Sequence, residues 1–372
     1  MNEKMKRALR EATKLARSGQ AQRATDVLQR TLQGRDSSQN SSRVRASVER
    51  LAHALPKAAR QKVSRGVQSM GNFTPDLSHP SATPAAPPPT ALGKGQFRAD
   101  TYTNRAGARD YKLYIPEDAA GRTLPLVVML HGCTQNPDDF AAGTQMNLRA
   151  DEAPCLVLYP AQSNRANPNG CWNWFQEADQ RCGAGEPSLI AGMVQEVAQR
   201  YPVDMRRIYV AGLSAGGAMA ATMGAVYPEL FAAVGVHSGL PHGAAKDLPS
   251  ALMAMRQGCG SGVAATRTVP TIVFHGDRDS TVNPRNGQEV ISRLSTNKGY
   301  KVSVEKGQAD GGRPYTRTRY LDERGQVKLE DWRVHGAGHA WAGGSSAGTF
   351  TDPKGPDATG AMLRFFYANS RA

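Results

Sequence analysis

The sequence is short of several things, and each shortage closes off a class of protein. Its five cysteines, at positions 133, 155, 171, 182 and 259, form no C-x-x-C pair in 372 residues. No zinc site is expected, and the odd count leaves at least one thiol unpaired within a monomer. No apolar run approaches the ~20 residues of a membrane-spanning helix; LPLVVML, at 124–130, is far too short. The opening MNEKMKRALREATKLARSGQ alternates charge with apolar residues and never builds the apolar stretch of a secretion signal. A cytoplasmic protein with no transmembrane segment is the expectation. Aromatic residues are 6% of the chain and do not interleave with its basic N-terminal quarter, so no nucleic-acid partner is expected.

Acidic residues are also scarce, but only in one region. Residues 1–95 hold 17 Lys or Arg against 6 Asp or Glu, whereas residues 96–372 hold 29 against 26, so most of the net charge of +14 belongs to the first quarter. Such a segment suits an anionic surface, such as acidic lipid headgroups or a coated granule, or serves only as a solvated face. Within it Met5, Ala8, Leu9, Ala12, Leu15 and then Ala21, Ala24, Val27, Leu28, Leu32 recur at helical spacing around Ser18-Gly19-Gln20, which predicts a helical hairpin. A weaker helical pattern follows at 43–66. HPSATPAAPPPTALGKG then reads as a semi-rigid spacer. The chain therefore divides into a basic helical segment (1–70), a Pro/Ala-rich linker (71–95) and a larger domain (96–372).

In that larger domain short apolar runs alternate with helical patterns. YKLYI (111–115), LPLVVML, CLVLYP (155–160), RIYVAG (207–212), FAAVGVHSG (231–239) and VPTIVFHG (269–276) predict strands. SLIAGMVQEVAQRY (188–201), AGGAMAATMGAVY (215–227) and NGQEVISRLST (286–296) predict helices. The alternation predicts an α/β fold, a mostly parallel sheet with helices on both faces, with chemistry in loops at the carboxyl ends of the strands.

One such loop is GLSAG, residues 212–216, between a predicted strand and a predicted helix. That setting turns an otherwise weak G-x-S-x-G pattern into a nucleophile elbow, with glycines leaving room for the turn and Ser214 exposed at its tip. A serine hydroxyl needs a base, and the base needs a carboxylate to orient it. FHGDRDSTV (274–282) offers Asp277 and Asp279, and VHGAGHAW (334–341) offers His335 and His339. Asp279, deeper in its loop, and His339, on a glycine loop able to reach over the serine, are the favoured pair. His237 and His275 read as strand-end residues. Two backbone N–H groups should receive the developing oxyanion. Ala215, just after the serine, supplies one, and Cys133, in the HGC turn after LPLVVML, supplies the other, with His131 as a structural anchor.

The motifs LHGCTQNPDDFAAGTQMN, LYPAQSNRANPNGCWNWF, YVAGLSAGGAMAA, GVHSGLP, HGDRDSTVNP and GAGHAW, in this order, resemble the polyhydroxybutyrate depolymerase family of serine esterases, which includes feruloyl and acetylxylan esterases. The resemblance covers residues 100–370. It implies an α/β-hydrolase fold, an acyl-enzyme on Ser214 with Asp279 and His339, oxyanion donors at Cys133 and Ala215, and a Cys133–Cys171 disulfide. It implies no cofactor or metal. The implied substrate is a short-chain hydroxyalkanoate polyester, poly(3-hydroxybutyrate), or its oligomers. The alternatives are a feruloyl or acetylxylan carboxylesterase and, in another class, a non-catalytic binding protein on a hydrolase scaffold. Trp172, Trp174 and Trp341 flank these motifs and are expected to line a pocket for the acyl chain. The basic segment is expected to tether the enzyme to a granule surface or a protein partner. Deleting residues 1–92 should leave turnover of soluble esters intact and weaken binding to native granules; unchanged granule binding contradicts the tether.

Overall fold

An unbroken apolar strand has to be covered on both faces, and Leu124–Leu130 (β3) is buried at every position. Leu126, Val128 and Leu130 enter one apolar cluster, while Val127 and Met129 enter a second on the opposite face, the alternation that a pleated strand imposes. A computed structural model describes residues 92–260 and 267–371. The expectations for residues 1–70, and those for the linker up to residue 91, lie outside the described residues.

Among the described residues ten strands share one sheet. With β1 at Gln96–Asn104, β2 at Gly107–Ile115, β4 at Leu156–Pro160, β5 at Val203–Leu213, β6 at Ala233–His237, β7 at Thr271–Gly276, β8 at Lys301–Gln308, β9 at Pro314–Leu321 and β10 at Val327–Val334, the order is β1-β2-β4-β3-β5-β6-β7-β10-β9-β8. Strands β4, β3, β5, β6, β7 and β10 run parallel. Antiparallel hairpins extend both edges.

Helices close both faces. Gly185–Arg200 (α3), Ala215–Val226 (α4), Leu248–Gln257 (α5) and Arg285–Ser295 (α6) pack with Leu126, Val210, Val236 and Val273. Pro137–Thr144 (α1), Met146–Glu152 (α2) and Ala358–Tyr367 (α7) pack on the other face with Val127, Tyr209 and Phe274. The first of these starts cleanly because Pro137 occupies its first position and the Asn136 side chain accepts from the Asp139 N–H at 3.0 Å.

The chain leaves β3 for β4 on one side and reaches β5 on the other. The loops after β3 and β5 therefore meet at the carboxyl edge of the sheet, where such a switch in direction opens a crevice. Every strand and helix predicted within residues 96–372 has its counterpart. The strands β1, β8, β9 and β10 and the helices α1, α2, α5 and α7 add to the prediction. Edge strand β8, KVSVEKGQ, leaves Val302 and Val304 more than half exposed.

Candidate active site

At the tip of β5, Ser214 has φ 58° and ψ −118°, a backbone conformation that residues with side chains hold only when the surroundings demand it. The surroundings are two glycines and a neighbouring strand end. A Cβ on Gly212 would lie 2.4 Å from the Gly216 carbonyl, and one on Gly216 would lie 2.0 Å from the Leu130 oxygen at the end of β3. No other residue fits either position. The Ser214 N–H donates to the His237 carbonyl at 2.9 Å, which fastens the turn to β6. The sequence thus bends sharply, and the serine hydroxyl stands at the sheet's carboxyl edge.

The loop after β7 carries Asp279 and the loop after β10 carries His339. Their side chains meet, with Nδ1 of His339 2.7 Å from Oδ2 of Asp279. A carboxylate only accepts, so Nδ1 carries the proton and Nε2 is left as the base. Burial by itself would raise the Asp279 carboxyl, but hydrogen bonds from His275 and His339 overturn that and hold it well below the usual carboxylate range. Among the described residues no hydrogen bond joins the Ser214 hydroxyl to the His339 ring.

Asp277 and His335, the other two candidates, pair with each other. Nδ1 of His335 lies 2.8 Å from Asp277 Oδ2, the Gly336 N–H donates to Oδ1 at 2.7 Å, and Thr316 Oγ1 lies 2.9 Å from His335 Nε2. The Arg278 N–H donates to the Ala337 carbonyl at 3.0 Å. The glycine loop that bears His339 is thereby pinned to the tip of β7.

The HGC turn after β3 adjoins the elbow: a Cβ on Gly132 would come within 3.6 Å of the Ser214 Cβ. Among the described residues neither the Cys133 N–H nor the Ala215 N–H has a protein acceptor, and Ala215 opens α4, where the helix dipole favours negative charge. A disulfide joins Cys133 to Cys171 with Cα atoms 4.2 Å apart. The Thr134 N–H adds a bond to the Asn169 carbonyl at 2.8 Å, and the Gly132 N–H one to Gln135 Oε1 at 2.9 Å. His131 anchors the turn from within, with Nδ1 on the Gly132 carbonyl at 2.8 Å and Nε2 accepting from the Gln162 N–H at 3.1 Å.

Two of the three tryptophan expectations need correction. Trp172 and Trp341 are fully buried and offer a substrate no surface. The indole of Trp172 donates to the His131 carbonyl at 3.1 Å, and that of Trp341 to Thr359 Oγ1 at 2.9 Å while stacking on His237 at 4.9 Å. They support the loops from below. Trp174 packs edge-on against Phe175 with 5% of its surface exposed.

Other supports carried little signal in the sequence. Buried Glu186, at the start of α3, accepts from the Asn173 N–H at 2.7 Å and the Asn173 side chain at 2.8 Å, holding the CWNW loop. Gln135 and Asp139 tie the HGC turn to Thr349. His275 contacts Asp279 from a second side, with Nε2 3.3 Å from Oδ2.

A strained serine between a parallel strand and a helix, beside free N–H groups and a histidine–aspartate pair on the same sheet edge, defines an α/β-hydrolase. Consistent with that fold, an acetyl xylan esterase from Aspergillus awamori superposes with a TM-score of 0.58 at 20% identity, over 73% of this chain and 99% of that one. The chain belongs to the Esterase PHB depolymerase family, whose model matches residues 109–315. It is 32% identical to poly(3-hydroxyalkanoate) depolymerase C of Paucimonas lemoignei over 58% of this chain and 54% of that protein. It is 31% identical to feruloyl esterase B of Neurospora crassa over 61% and 81%, and 28% identical to poly(3-hydroxybutyrate) depolymerase of Ralstonia pickettii over 59% and 48%. The chain thus spans about half the length of the two depolymerases.

Two buried imidazoles make stability depend on pH. Burial pushes His131 down to about 4 and His237 well below its usual range. Each Nε2 already accepts a backbone N–H, from Gln162 and from Ala342 at 2.9 Å, so protonation breaks a bond. The unfolded rings titrate near ~6.5, and below that pH the unfolded chain binds more protons than the native one. Stability therefore falls as pH drops from 6.5 toward 4, by roughly 2 kcal/mol at pH 5 for His131 alone. The urea midpoint should be lower at pH 5 than at pH 7.5; equal midpoints contradict neutral buried rings.

Proposed function

We propose that the protein is a serine carboxylesterase that cleaves short-chain hydroxyalkanoate polyester, or its oligomers, through an acyl-enzyme on Ser214. The 2.7 Å contact between His339 and Asp279 at the sheet edge that carries Ser214 is the observation that supports it best. Nε2 of His339 takes the serine proton as Oγ adds to the ester carbonyl. The N–H groups of Cys133 and Ala215 receive the oxyanion, a contribution of several kcal/mol. Collapse expels the alcohol, which takes the proton from His339, and water repeats the sequence on the acyl-enzyme. Asp279 holds the ring in the tautomer this requires. The serine–histidine hydrogen bond forms with substrate in place, as such bonds tighten in the Michaelis complex. No metal or organic cofactor enters these steps.

Two relatives bear names that include poly(3-hydroxyalkanoate) or poly(3-hydroxybutyrate), which favours polyester. The match to 81% of a feruloyl esterase B supports feruloyl or acetylxylan ester hydrolysis as the second reading. Cytoplasmic location and granule docking through the basic N-terminal segment belong to the polyester reading.

Ser214→Ala should lower kcat/KM on p-nitrophenyl esters by a factor of about 10³ or more; full activity in this variant overturns the serine mechanism. Wild-type protein should prefer hydroxybutyrate oligomers to feruloyl and acetyl esters. The opposite preference moves the substrate to the second reading and leaves the mechanism in place.

A further inference from the structure

Asp279 is held by more than its catalytic partner. Its Oδ1 accepts the N–H groups of Thr281 and Val282 at 2.9 and 2.8 Å. Its Oδ2 faces two imidazoles, His339 at 2.7 Å and His275 at 3.3 Å. His275, on β7, is 4% exposed and its Nε2 also lies 2.9 Å from the Val282 carbonyl. That carbonyl only accepts, so Nε2 carries the proton and shares it between Val282 and Asp279. The contacts close a ring: His275 to Val282 carbonyl, Val282 N–H to Asp279, Asp279 back to His275.

The other nitrogen of His275 points nowhere useful. Nδ1 is buried with no hydrogen-bond partner, and a Cβ on Gly287 of α6 would lie 2.8 Å from it. A second proton there would be a buried donor with no acceptor, which costs more than a bare lone pair. The Nε2–H of His275 is thus fixed toward Val282 and Asp279. The ionisable groups around it are Asp279 and His339 on the two loops, His237 on β6, and Asp331 and Arg333 on β10, while α6 meets it with Gly287. Burial pushes the Asp331 carboxyl up to about 6, with the Arg333 charge opposing.

We propose that His275 is a positioning residue for the reaction: its Nε2–H locks the acid loop and takes up part of the Asp279 negative charge, which limits how strongly that carboxylate holds a protonated His339. The inference rests on the Ser214, His339 and Asp279 reading above. With the second donor gone, Asp279 stabilises the imidazolium more, and the base is lost to protonation at higher pH. A purely structural histidine would leave the pH profile in place.

Three variants of the full chain test this, each checked by thermal melt and assayed on a p-nitrophenyl ester from pH 4.5 to 9. His275→Phe keeps the ring volume and lacks the donor; the acid limb of kcat/KM should move up by about half a pH unit, and kcat should fall about tenfold with KM unchanged. His275→Gln can donate to the same acceptors and should stay within about twofold of wild type with its acid limb in place. His275→Met serves in place of the phenylalanine variant if that one fails to fold. A donorless variant that folds and keeps the wild-type acid limb and kcat overturns the proposal. Ser214→Ala runs alongside: activity surviving in that variant removes the triad itself, whereas an inactive Ser214→Ala with a wild-type-like His275→Phe removes only the role of His275.

Discussion

A carboxylate with no exposed side-chain surface has to be met by donors, and Asp279 is met by four. An unmet buried charge would cost several kcal/mol or be protonated away. Here the donors more than offset the burial, and the carboxyl stays ionised throughout the range in which an enzyme works. That fixed negative charge orients His339, and an oriented imidazole is what lets an ordinary alcohol attack an ester. The surrounding loops read as a means of keeping this charge in place. Val282 both donates to it and accepts from His275, and the Asp277–His335 pair fixes the approach of the loop from β10.

Strand order makes the meeting possible. Ser214 follows β5, Asp279 follows β7 and His339 follows β10, and these strands lie within four neighbouring positions of a parallel sheet with β6 between the first two. Parallel strands deliver all their carboxyl ends to one edge. The HGC turn arrives there from the other side, because β3 neighbours β5. Glycine contacts at 212 and 216 let these ends approach more closely than any side chain would permit. His237 then connects the parts, taking the Ser214 N–H on its carbonyl and the Ala342 N–H on its ring.

The buried parallel strands were legible because coverage on both faces leaves no polar alternation: LPLVVML and TIVFHG read as strands at sight. KVSVEKGQ did not, because an edge strand in water carries the same residues as a loop. Short helices such as PDDFAAGT are too brief to display a period, and only their caps betray them. The sharp turn at Ser214 and the choice of Asp279 and His339 as partners were legible from motif context. Their supports were not, since the pairing of Asp277 with His335 joins residues 58 apart in the chain. The misplacement of Trp172 and Trp341 has a related cause. Closeness in sequence to an active-site loop does not say which side of the loop a ring faces, and the indole N–H groups of both find buried acceptors.

The claim on which everything turns is that Ser214 becomes an activated nucleophile. Covalent trapping reads this directly: wild-type protein is treated with a p-nitrophenyl phosphonate ester, the released nitrophenol is counted, and the modified peptide is sequenced by mass spectrometry. One equivalent of nitrophenol, loss of ester turnover and a single adduct on Ser214 are the predicted result. An adduct on another residue with turnover lost, or undiminished turnover after Ser214 is fully modified, would contradict it.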